Sequence, residues 1–307
     1  MRINFISYLN PFYYHGGGEL DNREIINEGR RLGLNIRCGY RRSGRMSGFI
    51  QPRLDIHDSP DLFILSDIWN SPNQQLYFKE GFIEEIVENE HYVHLDNAYV
   101  DVCSEGALPC NGSSLACKKR CDKSRAHWIY SKSLLNIFLS PLHMRTVNGL
   151  LNNQYIDRSI WIRPLIDVQK FHNFQIKRDI EYIYVGSITE YKGYNNIKKR
   201  FGHINDFLFV GQNATSEKLF GHHVESVPNQ DVPILLNRAK NFVHLPVWIE
   251  PMGRAVVEAA LCGCNIISND NVGALSFPFD ITDPKMIKGS ARLFWSELFK
   301  RIMDKKD

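Results

Sequence analysis

"WIEPMGRAVVEAALCGCNIISND", residues 248–270, puts a charged carboxylate where an ordinary buried helix carries a hydrocarbon. Glu258 sits inside Ala255-Val256-Val257-Glu258-Ala259-Ala260-Leu261, and Glu250 stands eight positions earlier, just before Pro251 and Gly253. The preceding "NFVHLP" reads as a buried strand, and Pro251-Met252-Gly253 as a tight turn into a helix. The first turn of such a helix offers free N–H groups and the positive end of the helix dipole, which together favour an anion. Glu258 then lies about two turns in, roughly 8 Å along the axis. A diphosphate on the helix start would leave a ribose within reach of Glu258, and Glu250 would face the group attached on the other side. Carboxylates accept hydrogen bonds from vicinal hydroxyls without repelling a ring carbon that turns positive. The plainer reading is that Glu258 merely pairs with Arg254, four residues away on the same helix face. On this pattern alone the two readings stand level.

The 307 residues are long for one core and suit two domains. A hydrophobic share of 43% and a charged share of 23% are those of an ordinary soluble enzyme. No apolar run approaches the roughly 20 residues that span a bilayer. The start, "MRINFISYLN", reads as a strand rather than a signal, so a cytoplasmic protein is expected. Short β-branched and aromatic runs alternate with helical periods, as in an α/β fold with parallel sheets. Strands are predicted at "RINFIS", "LNIRCGY", "DLFILSD", "YVHLD" and "NIFLS", then at "EYIYVG", "DFLFVG", "HVESV", "NFVHLP" and "CNIIS". Helices are predicted over 19–32, 131–136, 142–152, 194–200, 231–239 and 253–262, with a closing helix in "ARLFWSELFKRIMDKKD". Two strand series give an acceptor-side domain over 1–168 and a second domain over 169–307, with "WIRPLIDVQKFHNFQIKRD" at the crossing. The closing helix either stays with the second domain or returns to the first.

Two glycine-bearing loops accompany the paired acids. "YVGSITEYKGY" follows the first strand of the second series and supplies Gly186, Ser187, Lys192 and Gly193. A lysine in that loop would neutralise a phosphate as a compact point charge. "YYHGGGEL" places Gly16, Gly17 and Gly18 directly before the first helix. Three glycines let backbone approach a ligand closely, although a simple turn accounts for them equally.

Together these residues resemble the retaining glycosyltransferases of the GT-B fold, in the large family four, over nearly the whole chain. The resemblance rests on Gly16 to Gly18, on Pro164, Asp167 and Phe171, and on Gly186, Lys192 and Gly193. Its most specific block is Glu250 and Glu258 followed by Ala259, Gly263 and "NIIS". It implies two Rossmann-like, doubly wound domains facing a central cleft, the second binding a nucleoside-diphosphate sugar. The implied donor site comprises Gly17, Gly18, Gly186, Ser187, Lys192, Met252, Gly253, Arg254 and Glu258. The implied activity is that of a hexosyl- or pentosyltransferase acting with retention, the leaving diphosphate helping to deprotonate the incoming hydroxyl. Lys192, Glu250 and Arg254 would serve the chemistry and no catalytic metal would be needed. The family has an arginine where this chain has Ser187, and Arg254 is the expected replacement for that charge. A first-domain histidine stands near the reacting carbon in many members. Here "YVHLDNAYVDVC" offers His94, Asp96 and Asn97, and a core role competes with the catalytic one for His94. Asp67 and Trp69, in "SDIWN", are comparable candidates for touching the acceptor.

Cys103, Cys110, Cys117 and Cys121 fall within nineteen residues in a stretch too polar to form a core. Four thiolates around a structural zinc would order it, and plain thiols or a disulfide pair are the alternatives. Between Gly29 and Leu54 there are seven arginines and no acidic residue: Arg30, Arg31, Arg37, Arg41, Arg42, Arg45 and Arg53. Arginine suits phosphate recognition, so Arg41, Arg42 and Arg45 are candidates for contacting a polyanionic acceptor. A solvated charged surface is the plainer alternative. The acceptors weighed are nucleic acid, as with hydroxymethylated phage-type DNA, and a cell-envelope lipid diphosphate or anionic glycan, with DNA preferred. A catalytically silent nucleotide-sugar or nucleic-acid binding module is the reading from a different class.

Overall fold

Every strand ladder among the described residues is parallel. The structure, a computed structural model, describes residues 1–7, 9–13, 16–40, 60–68, 81–103 and 123–303. The first sheet contains β1 (Arg2–Ser7), β2 (Asn35–Tyr40), β3 (Leu62–Ser66), β4 (Tyr92–Asp96), β5 (Asn136–Phe138) and β6 (Ser159–Trp161), in the order β2-β1-β3-β4-β5-β6. The second contains β7 (Ile180–Val185), β8 (Phe207–Val210), β9 (His222–Val224), β10 (Ala239–His244) and β11 (Asn265–Ser268), in the order β11-β10-β7-β8-β9. β3 and β4 are buried at every residue, as strands covered on both faces must be. Their composition follows: "LFILS" and "YVHLD" carry no regular polar alternation.

The order of strands locates the places where a ligand can enter. In the first sheet the chain steps from β1 outward to β2, and β3 lies on β1's other side. In the second, β8 lies on one side of β7 and β10 on the other. Loops leaving two such strands diverge and open a crevice beyond their carboxyl ends. The loops placed to line such crevices are therefore those after β1 and β3, and those after β7 and β10.

The chain forms two compact units, one holding the described residues up to Leu165 together with those from Gly289 onward, the other spanning Ile166–Lys288. The division falls at 165/166 rather than after 168, and the closing helix Ser290–Met303 belongs to the first unit. Its Trp295 is fully buried, and the indole Nε1 donates to the Ile25 carbonyl at 2.9 Å. Gly29 on helix Gly17–Arg31 makes room for that ring, since a Cβ there would lie 2.6 Å from Trp295 and 2.4 Å from Ile36.

The ten predicted strands are present, and other elements differ from expectation, among them the short helix Pro284–Ile287, which was not predicted. The helix expected over 131–136 is instead Lys123–Lys132. Ser133 donates to Asn136 Oδ1 at 2.6 Å and Asn136 Nδ2 donates to the Tyr130 carbonyl at 3.2 Å, so these polar side chains turn the chain into β5. Helix Phe82–Asn89 lies where the sequence shows mainly an acidic run; its Phe82, Ile83, Ile86 and Val87 are buried. β6 lies just before the crossing segment and ends on its first residue, Trp161, its three residues too few to show alternation.

Trp295→Ala should destabilise the first unit by about 3–5 kcal/mol, the usual range for removing a fully buried large aromatic side chain. Urea unfolding followed by a first-unit probe checks this.

Candidate active site

The loop after β10 is shaped by one buried carboxylate. Glu250 bridges to Val272 through its backbone, its N–H donating to the Asn271 carbonyl at 2.7 Å and its carbonyl accepting from Gly273 N–H at 3.0 Å. These contacts turn its side chain inward, where 7% of the residue remains exposed. One carboxylate oxygen meets Lys192 Nζ at 2.7 Å and the other meets His244 Nε2, at the end of β10. Burial alone would raise the Glu250 carboxyl, but the Lys192 charge and His244 outweigh it and hold the group well below the usual carboxylate range. His244 was not singled out from the sequence. Its imidazole packs on the Tyr184 ring at 5.8 Å, while its enclosed Nδ1 has no hydrogen-bond partner among the described residues. The available signal was a polar residue closing the strand directly after the apolar pair Phe242-Val243.

Lys192 arrives from the loop after β7, and backbone contacts fix its reach. Gly193 has φ 95°, and a Cβ there would lie 2.0 Å from the Leu245 carbonyl oxygen, so the two loops touch where only glycine fits. Val247 N–H donates to the Tyr191 carbonyl at 2.9 Å, and Lys192 Nζ lies 5.3 Å from the Trp248 ring centroid. Gly186 has φ 139° and directly follows β7; Ser187 is exposed, its carbonyl accepting from the Tyr184 hydroxyl at 2.9 Å.

Gly253, at φ 84° and ψ 59°, caps helix Arg254–Leu261 in the left-handed region, with no side-chain cap hydrogen bond among the described residues. A Cβ at Gly253 would meet Val272 at 2.8 Å and Glu250 Oε2 at 3.4 Å, placing the helix start directly beside the Glu250–Lys192 pair. Met252 is buried beneath it. Farther along, buried Glu258 accepts from Arg254 Nε at 2.8 Å, so the i,i+4 pair that the sequence allowed is formed. Burial raises the Glu258 carboxyl, opposed by Arg254 and then Lys170. The structure thus gathers Lys192, Glu250, His244 and Gly253, and sets Arg254 with Glu258 on the adjoining helix.

The first unit has its own polar cluster, at the ends of β3 and β4. Gly17 and Gly18 form the first turn of a helix, and a Cβ at Gly18 would lie 3.3 Å from Asn97 Cβ, so the glycine serves close packing there. Asn97 Nδ2 donates to Asn22 Oδ1 at 3.0 Å and Ser66 Oγ at 2.8 Å, while Asn97 N–H donates to Asp67 Oδ1 at 3.1 Å. Asp67 is half-buried with φ 46°. Burial, then Asp101 and Glu19, push its carboxyl up to about 8 against the Asn97 and Ala98 N–H groups.

His94 and Asp96 are placed differently from their expected catalytic position. Both are fully enclosed within the unit: His94 Nε2 is 2.7 Å from Asp101 Oδ2, and Asp96 accepts from the Tyr130 hydroxyl. His143 also faces Asp96, at 3.5 Å. Two completely covered side chains with protein partners cannot touch a substrate, so His94 has the core role that competed for it. Arg41, Arg42, Arg45 and Trp69 lie outside the described residues, as do Cys110, Cys117 and Cys121; Cys103 is buried.

Comparison with known proteins now adds to this geometry. Residues 166–277 match the sequence model of the family described as glycosyl transferases, group 1. No curated protein is significantly similar in sequence. Among solved structures, the chain resembles a sucrose-phosphate synthase from Thermosynechococcus elongatus at TM-score 0.65 and 14% identity, over 96% of this chain and 90% of that one. It resembles HepE from Anabaena in complex with UDP and glucose at TM-score 0.59 and 13% identity, over 100% and 98%. It also resembles an alpha-glucosyltransferase in complex with UDP and a 13-mer DNA at TM-score 0.57 and 12% identity, over 99% and 90%.

Removing the amine with Lys192→Met should lower stability by about 1–3 kcal/mol near pH 7, because it strips a partner from a buried carboxylate. The folded-state Glu250 carboxyl lies below its unfolded value, so the lost stabilisation is present above about pH 4.3 and fades as the pH falls through the folded value. Denaturant titrations at pH 7 and pH 3.5 should show the gap between variant and parent shrinking. The fold is that of the GT-B glycosyltransferases it resembles, residues 166–277 match the group 1 glycosyl transferase model, and together these findings support a glycosyltransferase.

Proposed function

We propose that this chain moves a hexose or pentose, with retention, from a nucleoside-diphosphate sugar to a hydroxyl of hydroxymethylated DNA. The observation that carries the donor half is the meeting of Lys192, Glu250 and the Gly253 helix start at the reversal point of the second sheet. The helix start and Lys192 take the diphosphate, whose charge the helix dipole also favours. Glu258, about two turns into the helix, takes the ribose hydroxyls. Glu250, kept ionised and anchored by His244, takes the sugar hydroxyls.

In the reaction the bond from the anomeric carbon to the diphosphate oxygen breaks as the bond to the acceptor oxygen forms on the same face. The acceptor's proton passes to the departing diphosphate. Lys192 and the helix N–H groups stabilise the charge that grows on the diphosphate, and Arg254 adds its charge from the first turn. In this reading side chains and backbone carry the phosphate charge, and a zinc, if Cys103, Cys110, Cys117 and Cys121 held one, would have a structural role.

The DNA half draws on the arginine-rich segment through Arg41, Arg42 and Arg45, and on the DNA-bound alpha-glucosyltransferase among the structural neighbours. Reaching a hydroxymethyl group on a base would require flipping it from the duplex. No described helix is long and apolar enough to cross a membrane, and we place the protein in the cytoplasm with its acceptor.

A panel of nucleoside-diphosphate sugars should contain one that raises the melting temperature, by about 2.7 kcal/mol of stabilisation at a hundredfold excess over Kd. Glu258→Ala should remove that response while keeping the parent fold. A panel with no stabilising member contradicts the donor assignment. Binding to duplex DNA should weaken linearly with log salt, and replacing Arg41, Arg42 and Arg45 by Ala should reduce the slope by about 2.7. Salt-independent binding, with transfer to a lipid diphosphate instead, would move the acceptor to the cell envelope.

A further inference from the structure

We infer that Arg2, Asn4, Asn35 and Arg37 form a site for a single phosphate group at the amino ends of β1 and β2. The donor reading above plays no part in it. β1 and β2 run parallel in a register that pairs Arg2 with Asn35 and Asn4 with Arg37. Side chains alternate across a strand, so these four share one face of the sheet. The opposite face, with Ile36 and Cys38, is taken by helix Gly17–Arg31: a Cβ at Gly29 would lie 2.4 Å from Ile36, and Arg30 reaches Cys38 Sγ at 3.5 Å. On their own face the four residues, with Pro60, line a small cavity. It lies at the other end of these strands from the loops that leave the sheet at its reversal point.

Asn4 carries the inference. It is 3% exposed between the fully buried Ile3 and Phe5, yet its side-chain amide makes no hydrogen bond among the described residues. A buried amide without a partner is destabilising, and such groups are rare in folded proteins. Lining the cavity, this amide can donate through Nδ2 to a group that enters it. The guanidinium groups of Arg2 and Arg37 set that group's sign and shape. Both stay protonated, and each offers N–H groups in the fork that matches a tetrahedral oxyanion. Both arginines have further partners, so the site depends on their charge and on the Asn4 amide rather than on an idle guanidinium. Asp61 is the neighbouring carboxylate; it accepts from the Arg2 backbone N–H at 2.7 Å, and its own N–H donates to the Arg2 carbonyl at 2.9 Å. The cavity is small, so it takes one phosphate group rather than a whole nucleotide.

Phosphate reaches such a site from two sources, as a free phosphate or monoester and as a diester of a nucleic-acid backbone. Arg37 is one of the seven arginines between Gly29 and Leu54. It is exposed, so replacing it tests the site without emptying the core, whereas Asn4 is inside the sheet.

The experiment titrates inorganic phosphate, exchanged for chloride at constant ionic strength, into the parent and into Lys192→Met, which lacks the second unit's phosphate-facing amine. Calorimetry should show a saturable site in both. In the Lys192→Met background, Arg37→Ala and Asn4→Ala should each weaken it by about tenfold or more, the loss expected for a charge-assisted hydrogen bond. Arg37→Ala should leave the melting temperature without phosphate unchanged. A second arm measures duplex DNA binding against log salt. A slope reduced by about 0.9 in Arg37→Ala supports the site with a backbone phosphate as its ligand. An unchanged slope beside weakened phosphate binding supports it with a free phosphate. Phosphate binding that is absent from the parent, or that Arg37→Ala leaves untouched, overturns the site. Binding present in the parent and lost in Lys192→Met places the phosphate at the Gly253 helix start, which overturns this inference and leaves the donor reading standing.

Discussion

Burying the Glu250 carboxylate is the constraint from which the second unit's site follows. An ionised carboxylate removed from water is strongly disfavoured unless charged or hydrogen-bonding partners surround it. Here the partners come from two strands: His244 ends β10, and Lys192 comes from the loop after β7. To meet one carboxylate, the two loops must touch, and Gly193 permits that contact against the Leu245 carbonyl. Glu250 in turn lies against Gly253, so the same grouping sets where the helix Arg254–Leu261 begins. A cation, a buried carboxylate and a helix start are therefore brought to one place by a single buried charge.

The two units use one topology for different chemistry. Each sheet reverses direction beside its first strand, and each gathers polar groups just beyond that reversal. In the second unit the gathered groups include Lys192 and a helix start, which suit phosphate. In the first they are Asp67, Asn97, Asn22 and Ser66, joined by hydrogen bonds and without a cation of their own. The deeper layer of the first unit, His94 with Asp101 and Asp96 with Tyr130, is closed and supports the loop that presents Asn97.

The strand pattern was legible because strands in a covered parallel sheet are continuous apolar runs bounded by turns, as "LFILS" and "YVHLD" are. The Glu250–Glu258 block was legible for the opposite reason: carboxylates in apolar surroundings stand out. Glu258's partner was also readable, since Arg254 is four residues away. His244 was not, because a polar residue ending a strand looks the same whether it serves the core or a ligand. Its role depends on Glu250 folding back, a tertiary contact. His94 shows the converse, a histidine suggested by family pattern that becomes covered once Asp101 and Tyr130 close over it. Asn22 and Ser66 were silent for a similar reason, as their hydrogen bonds to Asn97 join residues far apart in sequence. The helix expected to run to 136 ends at Lys132, because the stop is set by Ser133 and Asn136 side chains rather than by any proline or glycine.

The central claim is that the Gly253 helix start and Lys192 together grip a diphosphate. Calorimetric titration of the parent and Lys192→Met with uridine, UMP and UDP, and with the guanine series, tests it most directly. The account predicts that one diphosphate binds at least tenfold more tightly than its monophosphate, and that the variant loses most of that advantage. Equal affinities for nucleoside, monophosphate and diphosphate in both bases, or an advantage untouched by the substitution, would contradict it.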